Sequence, residues 1–264
     1  MAGERGLLVA MAKDGNSNFN PCVAGPGVGV KDGFSFGVVF GVADGENRTW
    51  PHSNPQNFSQ NPNPCESPPP PLLANTEVSV FRPRVDEITI LRFSLADADR
   101  LRTKGLDAFS VFATGTENKD RLAAPRRWFV GNSIVPSYTL IVNLDKGKLE
   151  SFRWKRESCR FCGDGQCISY FDGYPDAQSS CAFDRSTSQQ CKEAPMRCEL
   201  AIQVTWAGTD KDSAVLKSWY QVDSLGKYSL SDLYVKAETS VYDQYNRTKS
   251  SAMDTINGLA NGAR

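Results

Sequence analysis

Imidazole is almost missing from this chain: its 264 residues hold one histidine, His52, in a proline-rich stretch beside Pro51 and Pro55. A Ser- or Cys-based triad would have to take its base from that loop. The H-E-x-x-H, Walker and G-x-G-x-x-G patterns are missing as well, which removes zincin, nucleotide and dinucleotide chemistry in their usual forms. No apolar run approaches the roughly 18 residues of a membrane span, so no integral membrane segment is expected. Net charge is missing too, with thirty Lys and Arg against thirty Asp and Glu. With no basic stripe interleaved with aromatics, nucleic acid is not an expected partner.

What the chain has is cysteine, and most of it lies together. Cys159, Cys162, Cys167, Cys181, Cys191 and Cys198 fall within 40 residues, and Cys22 and Cys65 flank a Pro- and Asn-rich region. The polar segments between them have too few apolar residues to bury a core, so order there requires cross-links. Eight cysteines fit four disulfides, although six clustered ones allow 15 pairings. A Cys22–Cys65 bridge would stabilise by about 4 kcal/mol on the loop-closure model. The competing reading is a zinc site at Cys159, Cys162, Cys167 and Cys181. It lacks a second C-x2-C pair and a nearby histidine. Disulfides are therefore expected, and neither metal nor cofactor is.

Three N-x-S/T sequons, at Asn47, Asn57 and Asn246, fit the same oxidising secretory environment. Near the start, Arg5 precedes the apolar run Gly6 to Ala12, which ends in the A-x-A form Ala10-Met11-Ala12. Residues 1–12 read as a shortened signal peptide, with an ordinary apolar N-terminal strand or a disordered start as the alternative.

Organisation follows from hydrophobic period. Phe34, Phe36, Val38, Phe40 and Val42 alternate as a strand does, with Gly37 and Gly41 opposite, where a neighbour can approach closely. A polar loop with the run Pro68 to Pro71 follows; it reads as a stiff extended connector rather than a ligand for a proline-binding module. Glu77–Phe81 and Glu87–Phe93 read as paired strands joined through Arg82-Pro83-Arg84. Residues 97–107 are weakly helical, and Ala108–Ala113 and Arg127–Val130 are strands. Tyr138–Leu144 and Leu149–Lys155 form a hairpin about Asp145-Lys146-Gly147-Lys148. Beyond the cysteines, Cys198–Ala207 alternates again and Val215–Val222 is a short run. Ser229 then caps an amphipathic helix to Tyr245 that presents Leu230, Leu233, Ala237 and Val241 on one face. The expected fold is mostly β: an antiparallel β-sandwich-like domain over 13–249, with a disulfide-rich insertion at 159–198, one C-terminal amphipathic helix and a disordered tail at 250–264.

Three stretches carry a family resemblance. Phe81-Arg82-Pro83-Arg84-Val85-Asp86-Glu87-Ile88, Trp154-Lys155-Arg156, and the blocks from Gly208-Thr209-Asp210-Lys211 through Leu216–Val222 to Asp243–Asn246 resemble the secreted land-plant proteins called Expp-type "expressed proteins". The resemblance spans about Gly33 to Tyr245 and implies a signal peptide and clustered cysteines. It carries over no catalytic residue.

Function is expected to be non-enzymatic: a disulfide-stabilised, extracellular glycoprotein of the apoplast or cell wall that binds or supports. The expected partners are cell-wall polysaccharide or an apoplastic protein. Sugar binders stack their ligands on exposed aromatics, and Trp50, Trp219 and Tyr220 are the surface candidates, whereas Trp154 and Trp206 lie on inward faces. On a strand, only one of Trp219 and Tyr220 could face outward. The alternative is a carbohydrate-active hydrolase using two facing carboxylates drawn from Asp86, Glu87, Asp210 and Asp212. Turn chemistry explains Asp210 and Asp212 better, because aspartate caps its own backbone.

Overall fold

A computed structural model describes residues 19–43, 49–50, 62–67, 69–116, 120–155, 162, 164–169 and 179–224. The expected leader, the asparagines of all three sequons, Cys159, the helix from Ser229 to Tyr245 and the tail lie outside these residues. The chain divides into two compact units, Met1–Asp223 and Ser224–Arg264, and the architecture below is that of the first.

In chain order the strands are β1 (Phe36–Gly41), β2 (Glu77–Phe81), β3 (Thr89–Phe93), β4 (Ala108–Thr114), β5 (Asp120–Leu122), β6 (Arg126–Arg127), β7 (Phe129–Val130), β8 (Ser133–Ile134), β9 (Ser137–Asp145), β10 (Lys148–Trp154), β11 (Gln166–Ser169), β12 (Ser179–Asp184) and β13 (Leu200–Gly208). Helix α1 (Leu95–Thr103) follows β3, α2 (Gln189–Glu193) follows β12 and α3 (Ser218–Ser224) follows β13. The fold is mostly β, as its alternating runs require.

One sheet has the order β2-β1-β4-β5, with β6 also pairing β4; the other has the order β10-β9-β13-β3. Their inner faces meet through aromatic rings. Phe40 of β1 lies 5.0 Å from Phe93 of β3, and Phe109 of β4 lies 5.6 Å from Trp154 of β10, both edge to face. Strand β1 is buried along its whole length. On its outer face Gly37 sits against the Phe112 ring, where an added Cβ would overlap the ring atoms. That is the close approach the glycine in the strand pattern anticipates.

All pairings in the two sheets are antiparallel except β9–β13, which is parallel. Parallel neighbours need a long crossover rather than a turn. Strand β10 and the cysteine-rich segment make up that crossover, and the segment's β11 and β12 join β8 and β7 in a third sheet, β11-β12-β8-β7. Cys162–Cys181 and Cys191–Cys198 staple it, while Cys22–Cys65 ties the N-terminal loop to the sandwich. Cys167 is also disulfide-bonded, to a partner outside the described residues. With these thiols spent on sulfur–sulfur bonds, the zinc reading loses its ligands.

Three local expectations are corrected. Strands β2 and β3 do not pair: β2 joins β1 and β3 joins β13, in opposite sheets. The segment between them arches across the core, held by a bridge from Arg84 to Gly33 and by Asp86 in the left-handed region at φ 63°. The strand expected at Arg127–Val130 is two fragments, β6 and β7. Between them Trp128 turns fully inside, its Nε1 donating to the Leu106 carbonyl at 2.9 Å. Residues 218–222 are helical in α3 rather than extended.

Helix α1 ties the layers together. Ser94 caps it, accepting from the Asp97 N–H at 3.2 Å. Its Arg100 and Lys104 bond Glu77 on β2, its Asp99 bonds Arg185 beyond β12, and the Arg102 guanidinium sits 4.7 Å over the Phe129 ring. Burial alone would raise the Glu77 pKa, but the bonds and charges of Arg100 and Lys104 outweigh it and hold the carboxyl below its ordinary range. A depressed folded pKa gives stability that is present above the unfolded value and lost as pH falls through the folded one. Wild type should therefore exceed Glu77→Gln by about 1 kcal/mol or less at neutral pH, as a partly exposed ion cluster allows. In urea unfolding followed with pH, the gap should close in acid below about pH 5.

Candidate functional site at one end of the sandwich

Loops 26–32, 83–87 and 209–217 converge at the end of the sandwich where β1 begins and β2 and β13 finish. Three aspartates tie them together by collecting backbone N–H groups. Asp210 accepts from Val30 at 3.3 Å, Asp212 at 2.9 Å and Ala214 at 2.7 Å. Asp32 accepts from the Gly29 N–H at 2.7 Å and from Lys211 Nζ at 3.3 Å. Asp86 accepts from the N–H groups of Lys217 at 2.7 Å and Ser218 at 2.8 Å. It thus caps α3 from 131 residues away, doing for a helix start what an N-cap residue does locally.

Beneath these loops lies Trp206, fully buried, with its ring edge-to-face against Phe34 at 5.8 Å. Its Nε1 donates to the Glu87 carbonyl at 3.0 Å, and its backbone N–H donates to Ser218 Oγ at 2.8 Å. One tryptophan therefore contacts both the 83–87 arch and the start of α3.

On α3 stand Trp219 and Tyr220. A helix turns about 100° per residue, so neighbours can share an outward sector that a strand would split. Their ring centroids are 3.8 Å apart with planes inclined by 34°, and Tyr220 is 56% exposed over the partly buried Trp219. The pair therefore offers one backed aromatic face, with Val30 and Val215 also exposed on the converging loops. Two ion pairs flank it: Lys211 with Asp32 at 3.3 Å and Arg84 with Glu87 at 3.6 Å.

Trp50 is not part of this face. Thr49 donates its N–H to the Val42 carbonyl at 2.8 Å, folding the segment back along β1, and the Trp50 side chain is completely buried. Its expected role as an exposed platform is overturned, since no ligand can stack on a ring that solvent does not reach. Trp154 and Trp206 are buried as their strand faces predict.

The four carboxylates of the hydrolase alternative lie on the converging loops in different settings. Asp210 is buried and Asp86 partly so, and both are engaged by backbone donors, while Glu87 sits beside Arg84 and Asp212 is exposed. Asp107, which no motif in the sequence marks, has its pKa pushed up by burial despite the 2.7 Å bond it accepts from the Ala43 N–H. It lies at the opposite end of β1, and among the described residues no second carboxylate is bonded to it. The chain does contain one G-x-S-x-G string, Gly33 to Gly37. A nucleophile elbow joins a strand to a helix, whereas this string leads into β1, and Ser35 Oγ accepts from Arg82 Nη1 at 3.4 Å. Among the described residues no cluster of three metal-ligating side chains occurs, and no helix is long and apolar enough to cross a membrane.

A family model described as "Uncharacterised protein DDB_G0273449" matches residues 129–247. The match takes in the third sheet, β9, β10, β13 and the Trp219–Tyr220 pair. No curated protein and no solved structure matches the chain.

Proposed function

We propose that this chain is a secreted, non-enzymatic glycoprotein of the plant apoplast or cell wall that binds cell-wall polysaccharide at the loop end of its sandwich. The observation that carries the reading is the Trp219–Tyr220 pair: an exposed ring backed by a second ring, on a helix anchored by Asp86. Aromatic side chains lose little rotamer freedom on binding and present an apolar face with a polar rim, as the CH faces and hydroxyls of a sugar require. Disulfides support an extracellular site of action, and the sequons Asn47, Asn57 and Asn246 and the resemblance to secreted plant proteins agree with it. The two ion pairs beside the rings, Lys211–Asp32 and Arg84–Glu87, leave no net charge between them, so the ligand at this face is an uncharged stretch of glycan. Its binding should change little up to about 0.3 M salt.

Depletion from solution by insoluble cellulose, xylan and mannan tests the binding. The wild-type chain should be retained by at least one of them. The Trp219→Ala/Tyr220→Ala variant should bind about tenfold more weakly, the loss of one aromatic anchor pair. Equal retention of both proteins, or of neither, rejects the reading.

A further inference from the structure

A second, separate site lies beside this end of the fold. The N-terminal loop, the start of β1, the end of β4 and the β9–β10 turn enclose a cleft of about 60 Å³. One water needs only about 10–15 Å³, so the cleft has room for a small organic group.

Its walls are fixed before any ligand arrives. Val28 donates to the Gly147 carbonyl at 2.9 Å, and the Val28 carbonyl accepts from the Lys211 N–H at 2.9 Å. Gly147 has φ 74°, and an added Cβ would run into the Val28 backbone, so the two walls touch where only glycine fits. On the other side the Pro21 carbonyl accepts from the Thr114 N–H at 2.8 Å, next to the Cys22–Cys65 bridge.

The chemistry of the lining is lopsided. Val23 and the edge of Phe34 supply the accessible apolar surface, with Val28 and Leu149 buried beneath. Among the described residues Lys148 is the one charged side chain in the lining, which contains no aspartate or glutamate. Behind it the largely buried Arg82 donates to Ser35 Oγ, itself in the wall. The backbone N–H groups of Ala24 and Gly25, also in the wall, have no acceptor among the described residues. A cation, spare N–H donors and an apolar patch in a carboxylate-free cleft suit an anion with a short hydrocarbon end.

The geometry points to a binding site for the carboxylate of a small organic acid, with Lys148 as its counter-charge and Phe34 and Val23 against its carbon end. This goes beyond the polysaccharide face at Trp219 and Tyr220 and does not depend on it.

Titration of the full chain with sodium acetate, followed by amide NMR at constant ionic strength, tests the assignment. Wild type should bind with a dissociation constant on the order of millimolar, the range open to so small a ligand. Shifts should be centred on residues 20–28 and 147–149. Lys148→Gln should weaken binding roughly tenfold, while Lys146→Gln, a cation in the same turn but outside the lining, should leave it unchanged. Acetamide, of the same shape without the charge, should not saturate. The assignment is overturned if acetate causes no saturable shift, if acetamide binds equally, or if both lysine variants lose the same amount.

Discussion

Trp206→Ala should lower the free energy of unfolding by about 3–5 kcal/mol, the usual range for removing a fully buried large aromatic side chain. Two losses add at this position. The side chain has no solvent exposure and packs edge to face on Phe34, so truncation leaves a cavity in the strand-end layer. It also removes the indole N–H that the Glu87 carbonyl accepts, leaving that acceptor without its partner. Trp206→Phe separates the two losses, because it keeps most of the volume and gives up only the donor. It should cost clearly less than the alanine variant. Domains of this kind are stable by only about 5–15 kcal/mol, so Trp206→Ala should bring urea unfolding to markedly lower concentration. A change under about 1 kcal/mol would mean that Trp206 does not hold the arch and α3 together.

Cys22→Ser/Cys65→Ser should cost nearly as much, about 4 kcal/mol on the loop-closure model. The bridge spans 43 residues; β1 and its flanks within that span are packed in the core, whereas the stretches next to the two cysteines are rich in proline, glycine and asparagine. Cys22, Cys65 and Leu73 pack partly buried against the core, so the bridge fixes a lid of loop on the sandwich rather than linking two elements already paired. Opening Cys191–Cys198, separated by only 7 residues, should cost less, because a short loop has less entropy to lose. Equilibrium unfolding of each serine pair under non-reducing conditions measures the order. If removing the short bridge costs more than removing the long one, loop entropy does not govern how these disulfides stabilise the fold.

Much of the sandwich is legible in the sequence, because alternation is a local signal. Phe36, Val38 and Phe40 on β1 and Ile202, Val204 and Trp206 on β13 announce strands and their inner faces without outside information. The β9–β10 hairpin is similarly plain, since its turn residues Lys146 and Gly147 both take positive φ in the structure. Pairing partners are a different matter. Strands β2 and β3 look like a hairpin by proximity, and nothing in their own residues says that the arch carries them to opposite sheets. The parallel register of β9 with β13 is equally unreadable, because its crossover is β10 and the polar, cysteine-rich segment rather than a helix. The candidate site was half visible. Trp219 and Tyr220 stand out by residue type, but their shared outward position depends on α3 being helical. Asp86 looks like a turn residue, and its capping of α3 is written only in the folded contact. A tryptophan in a polar stretch, such as Trp50, reads as exposed, although the chain folds back and buries it.

Amide hydrogen exchange on the full chain, with and without the polysaccharide that retains it, tests most directly whether the loop end is the binding face. Exchange should slow in residues 26–32, 83–87 and 209–220, with no change in α1 or the third sheet. Protection confined to the third sheet or α1, or none anywhere despite retention, would contradict the assignment of the loop end as the binding face.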